Sequence, residues 1–246
     1  MAPRHPLRPL TGLVRGAGVM LCLGAASQTA SQEIVGAEFA GSTERYAHGV
    51  LGDAIEYSEL VIQTRDGNNR IQYRVTLPSD HVFEDLTPRL WDITGDGEPE
   101  VVVVETDMAR GGSLAVYDET GKVAETAHIG RSNRWLAPVA AADFDGDGRV
   151  EVAFVDRPHL AKTLRIFEWD GAGLSLDTEV SGLTNHRIGD AFFSSGMRDC
   201  GTGPEMITAD ADWSDLMVIR FDEEWQVQSL GGFTPERLAT ALDCGL

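Results

Sequence analysis

An all-β fold built from four copies of one antiparallel unit follows from three observations: a strand of constant character recurs four times, period-2 patterning surrounds it, and acidic, glycine-bearing turns separate the strands. The recurring strand is Leu60-Val61-Ile62, Leu114-Ala115-Val116, Leu164-Arg165-Ile166 and Leu216-Met217-Val218, at spacings of 54, 50 and 52 residues. A fixed period of that length marks a chain assembled from repeated supersecondary units.

The elements of the unit follow in order. After each leucine strand comes a turn (Asp66-Gly67, Thr120-Gly121, Asp170-Gly171, Asp222-Glu223-Glu224) and then a second strand, in which Ile71, Tyr73, Val75 and Leu77, or Trp225 and Val227, alternate with polar residues. Such alternation buries one face of a strand. Upstream, the second and third units carry two further apolar strands around an Asp/Gly loop: Leu90-Trp91 and Val101 to Val104, then Val139 to Ala142 and Val152 to Val155. Four short antiparallel strands in about 50 residues form a propeller blade. The prediction is a small β-propeller of four four-stranded blades, near residues 45–80, 88–130, 138–181 and 190–231, within a domain spanning 32–246. Radial stacking covers both faces of an inner strand, which accounts for the unbroken run Val101 to Val104. An open solenoid, or a partial propeller completed by another chain, fits the same repeats. Ile34 to Phe39 are free to supply a strand to the last blade. In the tail, 232–246, Thr234 and Pro235 have the character of a helix cap and first turn, predicting a short helix to about Leu242.

Residues 1–31 differ from the rest: Arg4, Arg8 and Arg15 precede an apolar run, Gly16 to Ala26, and a small polar stretch to Ser31. This is the pattern of a signal peptide cut between about 24 and 31. The run has 11 residues, against the roughly 20 that a membrane span needs. A buried N-terminal helix is the alternative. The expected location is periplasmic or secreted, with no membrane insertion of the mature chain. Removing the segment takes away three arginines and no acid, moving the formal charge from −19 to −22, which disfavours nucleic acid and anionic membrane as partners. The two remaining cysteines, Cys200 and Cys244, form a disulfide in an exported protein or stay as two thiols.

Two loops place oxygen-bearing side chains at alternate positions. In the first, Asp92, Thr94, Asp96 and Glu100 converge, with the Glu98 carbonyl as a further ligand; in the second, Asp143, Asp145, Asp147 and Glu151 do so, with the carbonyl of Arg149. Hard oxygen donors in that number suit Ca²⁺. The twelfth positions are Val103 and Phe154 and both exits are β-patterned, so these are hairpin loops rather than EF-hands. An acidic turn without metal is the plainer reading.

The motif Asp-x-Asp-x-Asp-Gly-x-x-Asp/Glu between strands, recurring about every 50 residues, resembles the FG-GAP or VCBS repeat of integrin-type β-propellers. The likeness spans roughly residues 45 to 230 and is most specific at Asp143 to Glu151. Thr94 in place of an aspartate implies a weaker second site. Members of that family often have seven blades; this chain has material for four. In the fourth unit Arg198 to Glu205 keeps the glycines without the acid ladder, and Cys200 stands where a ligand aspartate is expected. That blade is inferred to have lost its metal, with a Cys200–Cys244 bridge as the replacement crosslink. The first unit keeps only a remnant at Leu51 to Glu56.

No nucleophile or phosphate-loop motif is present downstream of residue 31. The connections entering the blades hold His48, Glu84, Arg134 and His186 at corresponding places, and a propeller gathers such loops near its axis. These four are the candidate ligand-binding residues; the alternative role is strand capping. His128 and His159 read as solvated. Three function classes fit: a non-enzymatic module binding a protein or glycan, a hydrolase or lyase drawing on His186, Glu84 and Asp190, or a structural subunit of an envelope assembly.

Overall fold

The computed structural model describes residues 32–246; the expected signal peptide lies outside the described residues. Those residues form three antiparallel sheets and one short helix. The first sheet contains β1 (Glu33–Thr43), β2 (Glu56–Asp66), β3 (Asn69–Thr76), β4 (His81–Phe83), β5 (Arg89–Trp91), β6 (Glu100–Asp107), β7 (Gly111–Asp118) and β8 (Gly121–Glu125). The second is the four-stranded meander β9 (Leu136–Ala142), β10 (Glu151–Asp156), β11 (Thr163–Trp169) and β12 (Leu174–Ser181). The third holds β13 (Leu183–Thr184), β14 (Gly196–Asp199), β15 (Pro204–Asp210), β16 (Asp215–Asp222) and β17 (Glu224–Gly232), followed by helix α1 (Pro235–Leu242).

The four leucine strands fall in β2, β7, β11 and β16, and Leu60, Leu114, Leu164 and Leu216 are all fully buried. The period-2 rule sorts the valine run of β6 onto two cores. Val101 and Val103 pack with Leu60 and Ile62 of the first unit and with Phe83 of β4, whereas Val102 and Val104 pack with Trp135, Val152 and Phe154 of the third. Strand β10 repeats the arrangement: Ala153 and Val155 turn to Leu183, Met206 and Ile219 of the fourth unit. Each inner strand is thus shared between two neighbouring cores.

Three features depart from four equal blades. The first two units are joined into one sheet by the bridge Tyr57↔Phe83. The edge strands of the second and fourth units are each broken in two, β4/β5 and β13/β14. At the first break the buried Asp85 carboxylate accepts from Val104 N at 2.8 Å, replacing the backbone carbonyl that a continuous strand would supply. Thirdly, Ile34 to Phe39 do not extend the last unit; β1 pairs with β2, as in Ala37↔Ile62 and Phe39↔Leu60. Phe39 stacks on Tyr57 and Phe83 with ring centroids 5.4 Å apart in both pairs, and this aromatic contact holds the strand there.

Helix α1 starts as its sequence dictates, with the Thr234 hydroxyl accepting from Arg237 N at 3.2 Å and Pro235 in the first turn. Its Ala241 packs with Ile207, Leu216 and Val218, covering the face of the last sheet turned away from the third unit. Cys200 and Cys244 stand in disulfide geometry with Cα atoms 5.6 Å apart, tying the β14–β15 loop to the chain beyond α1. Among the described residues no helix is long and apolar enough to cross a membrane.

Candidate functional site

Both aspartate loops join the edge strand of a unit to its inner strand. In the third unit Asp143 closes the loop on itself, accepting from Gly146 N at 2.7 Å and Gly148 N at 3.0 Å. Gly146 and Gly148 hold φ of +78° and +90°, where a side chain is strained, so the glycines are required by the turn. Oxygens of Asp143, Asp145 and Glu151 lie within 4.8 Å of one another. Glu151 is anchored by Phe144 N to its Oε2 at 2.7 Å, while its buried Oε1 has no hydrogen-bond partner. Burial first, then the charges of Asp145, Asp143 and Asp147, push its carboxyl up to about 7. A buried carboxylate oxygen without a partner, on a residue clustered with two further carboxylates, is costly without a cation, so this donor set fits a hard divalent ion. Arg149 was expected to offer its carbonyl; its side chain bridges Asp147 at 2.6 Å and Glu168 at 2.5 Å. Glu168 was missed, although it sits directly opposite Glu151 across β10 and β11 and groups with Asp147 and Glu151 as a second acidic triple.

The loop of the second unit has the same frame and a different interior. Asp92 accepts from Gly95 N at 2.7 Å and Gly97 N at 2.9 Å, and Asp96 accepts from Glu98 N at 2.9 Å. Here both oxygens of Glu100 are occupied: Oε2 by Ile93 N at 2.7 Å and Oε1 by the Thr94 hydroxyl at 3.1 Å. Thr94 thus partners the carboxylate instead of adding a negative oxygen. Of the two loops, that of the third unit is the more strongly disposed toward a cation.

The blade-entering connections do converge. His48 Nδ1 donates to Glu84, whose other oxygen accepts from the Thr106 hydroxyl at 2.7 Å. Trp135 Nε1 donates to the Glu84 carbonyl at 2.8 Å, Asn133 N to the Tyr46 hydroxyl at 2.7 Å, and Gly189 N to the Val50 carbonyl at 3.0 Å. Together they frame a cavity of about 250 Å³ lined by His48, Arg134, Trp135, Arg157, His159 and Ile188, among others. Of the four residues expected to bind ligand, His48 and Arg134 line the cavity and the other two support it. Glu84 is fully buried beneath His48, its carboxyl raised by burial. His186 lies behind His159, its Nε2 donating to the Asp190 carbonyl at 2.9 Å and its Nδ1 accepting from His159 Nε2 at 3.1 Å.

His159 is therefore not the solvated residue its surroundings in sequence suggested. Burial, with the neighbouring His186, lowers it to about 4, so His159 presents a neutral imidazole to the cavity at pH 7, and burial lowers His186 as well. His128 is likewise half-buried, its Nδ1 donating to the Gly111 carbonyl at 2.7 Å. Around the cavity mouth Leu160 and Ile188 are 63% and 71% exposed.

Residues 92–154, from the first aspartate of one loop through the inner strand after the other, match the family model of the FG-GAP-like repeat. That stretch is similar to an FG-GAP-like repeat. No curated protein matches the chain. The fourth unit departs from the FG-GAP-like repeat by an internal substitution of charge. Arg198 stands opposite Glu205 across β14 and β15, and its Nε donates to Glu205 at 2.8 Å. A guanidinium thus pairs with the glutamate whose counterpart in the third unit, Glu151, keeps one oxygen without a partner. Asp199 still closes the turn, accepting from Gly201 N at 2.8 Å.

Proposed function

We propose that the mature chain is an exported, propeller-like module of four units, stabilised by Ca²⁺ in its FG-GAP-like repeat, which binds a protein or glycan through its central cavity in the periplasm or outside the cell. The observation that carries the binding reading is the cavity itself: polar groups from three connections surround an apolar floor at Trp135, and exposed Leu160 and Ile188 rim it. Concave sites with an apolar lining and a few fixed polar groups are where ligands bind. Apolar side chains exposed together beside a concave site, as Leu160 and Ile188 are, support a contact surface. The aliphatic rim favours a protein segment over a sugar ring, and Arg134 and Arg157 favour an acidic group on it. Arg157 is already paired with Asp156 at 2.7 Å, so Arg134 is the freer of the two. The calcium reading is supported by the orphaned Glu151 oxygen among Asp143 and Asp145.

Binding is preferred to hydrolysis because two of the three acid/base candidates are turned inward, Asp190 alone being half-exposed. Glu84 and His186 have almost no exposed surface and each is engaged by a neighbour. An acid or base must come within hydrogen-bonding reach of the substrate.

The test uses arrays of immobilised peptides and oligosaccharides probed with the calcium-loaded protein. Ligands retained by the wild type are expected to bind Ile188→Asp and His159→Ala at least tenfold more weakly. Retention unchanged in both variants would show that the cavity is not the binding site.

A further inference from the structure

A second cluster of ligating side chains lies at the other end of β6 from the aspartate loop. His81 and Asp107 are directly opposite in the β4–β6 ladder, and His128 follows β8. One ring nitrogen from each histidine and one Asp107 oxygen lie within 4.8 Å of one another. His81 Nε2 is 3.7 Å from Asp107 Oδ2 and 3.9 Å from Glu105 Oε1.

The hydrogen bonds around the two rings fix their tautomers. His81 Nδ1 donates to the Asp80 carboxylate at 2.9 Å and His128 Nδ1 to the Gly111 carbonyl at 2.7 Å. Each acceptor takes a proton from Nδ1, leaving Nε2 as the basic nitrogen of the neutral ring. Metal-bound histidines are held in this way, the far nitrogen tied to a carboxylate or carbonyl. His81 Nε2 then stands near two carboxylate oxygens at distances too long for hydrogen bonds, a spacing that a cation among them would bridge.

We infer that His81, His128 and Asp107 form a binding site for a Zn²⁺-class transition-metal ion, with Glu105 as the fourth ligand. Imidazole nitrogen with carboxylate oxygen suits Zn²⁺, whereas the all-oxygen loops suit Ca²⁺. In a tetrahedral site with bonds of about 2.0–2.1 Å, ligand atoms are roughly 3.4 Å apart, so the observed 3.7 and 3.9 Å need only small closure. Two cations compete for the carboxylates. Arg110 Nε donates to Asp107 at 2.6 Å from a mostly exposed side chain, which can swing away at little cost. Lys122 and the Tyr117 hydroxyl hold Glu105 Oε2 and leave Oε1 toward His81.

The experiment is calorimetric titration of the metal-stripped, disulfide-intact protein with Zn²⁺, paired with Co²⁺ substitution followed by visible absorption. The expected result is one equivalent of Zn²⁺ bound with micromolar or tighter affinity, and a cobalt spectrum in the range of four-coordinate sites. His128→Gln and His81→Gln should each weaken Zn²⁺ at least tenfold and remove the cobalt band. Asp145→Asn, in the calcium loop, should change neither, which separates this inference from the calcium reading. Near-ultraviolet circular dichroism reports whether each variant keeps its tertiary packing. Absence of Zn²⁺ binding would overturn the inference; so would binding that survives both histidine variants or that is lost instead in His159→Ala.

Discussion

A Cys244→Ser variant is expected to be less stable than the parent by about 4 kcal/mol. The bridge to Cys200 closes a loop with a sequence separation of 44 residues, and the chain-entropy relation assigns such a loop about that much destabilisation of the unfolded state. In a domain of this size the loss corresponds to a melting temperature lower by about 10 °C. The bridge also has a local task, since it fixes the end of α1, whose Ala241 and Leu242 cover the last sheet. Thermal melts with and without dithiothreitol check both points. Reductant should lower the melting temperature of the wild type to that of the variant and leave the variant unchanged. A wild-type melt indifferent to reductant would show that the cysteines do not carry this load.

The second large effect concerns Glu56. Burial first, then the charges of Glu84, Asp53 and Asp85, raise its carboxyl from 4.5 to about 9. Between those values the folded state holds a proton that the unfolded state has released. Stability therefore falls as pH rises through the window, by up to about 1.4 kcal/mol per pH unit. Glu56→Gln keeps the shape and removes the titration. Urea denaturation at pH 5, 7 and 8 should show the variant gaining on the wild type as pH rises, to an advantage of a few kcal/mol at pH 8. Parallel profiles would mean that Glu56 is ionised in the folded protein.

What the sequence disclosed and what it concealed divide along the range of the interactions. The leucine strands, the aspartate loops and the Thr234-Pro235 helix start are local patterns, each complete within ten residues or so, and each appears where the pattern places it. Glu168 joins the loop of Glu151 only through the register of β10 and β11, and His81 meets Asp107 only through that of β4 and β6. Register is a tertiary outcome that single-strand patterning leaves open. The destination of β1 was open for a similar reason. An amphipathic strand fits any vacant edge, and the aromatic contacts of Phe39 decide among them. His159 read as solvated, yet the long connection carrying His186 folds back over it. The connections bearing His48, Glu84, Arg134 and His186 were recognised as a group from their position in the repeat, but which side chains line the cavity and which brace it depends on burial.

In the function proposed above, the loop of the third unit holds Ca²⁺ as part of the folded structure. Calorimetric melting of the metal-stripped protein before and after Ca²⁺ addition tests it directly. At tenfold above its dissociation constant one site adds about 1.4 kcal/mol, which raises the melting temperature by about 3–6 °C in a domain of this size. The gain should be largely lost in Asp145→Asn and reduced less in Asp96→Asn. A wild-type melting temperature unchanged by millimolar Ca²⁺, or a gain that Asp145→Asn leaves intact, would contradict the account.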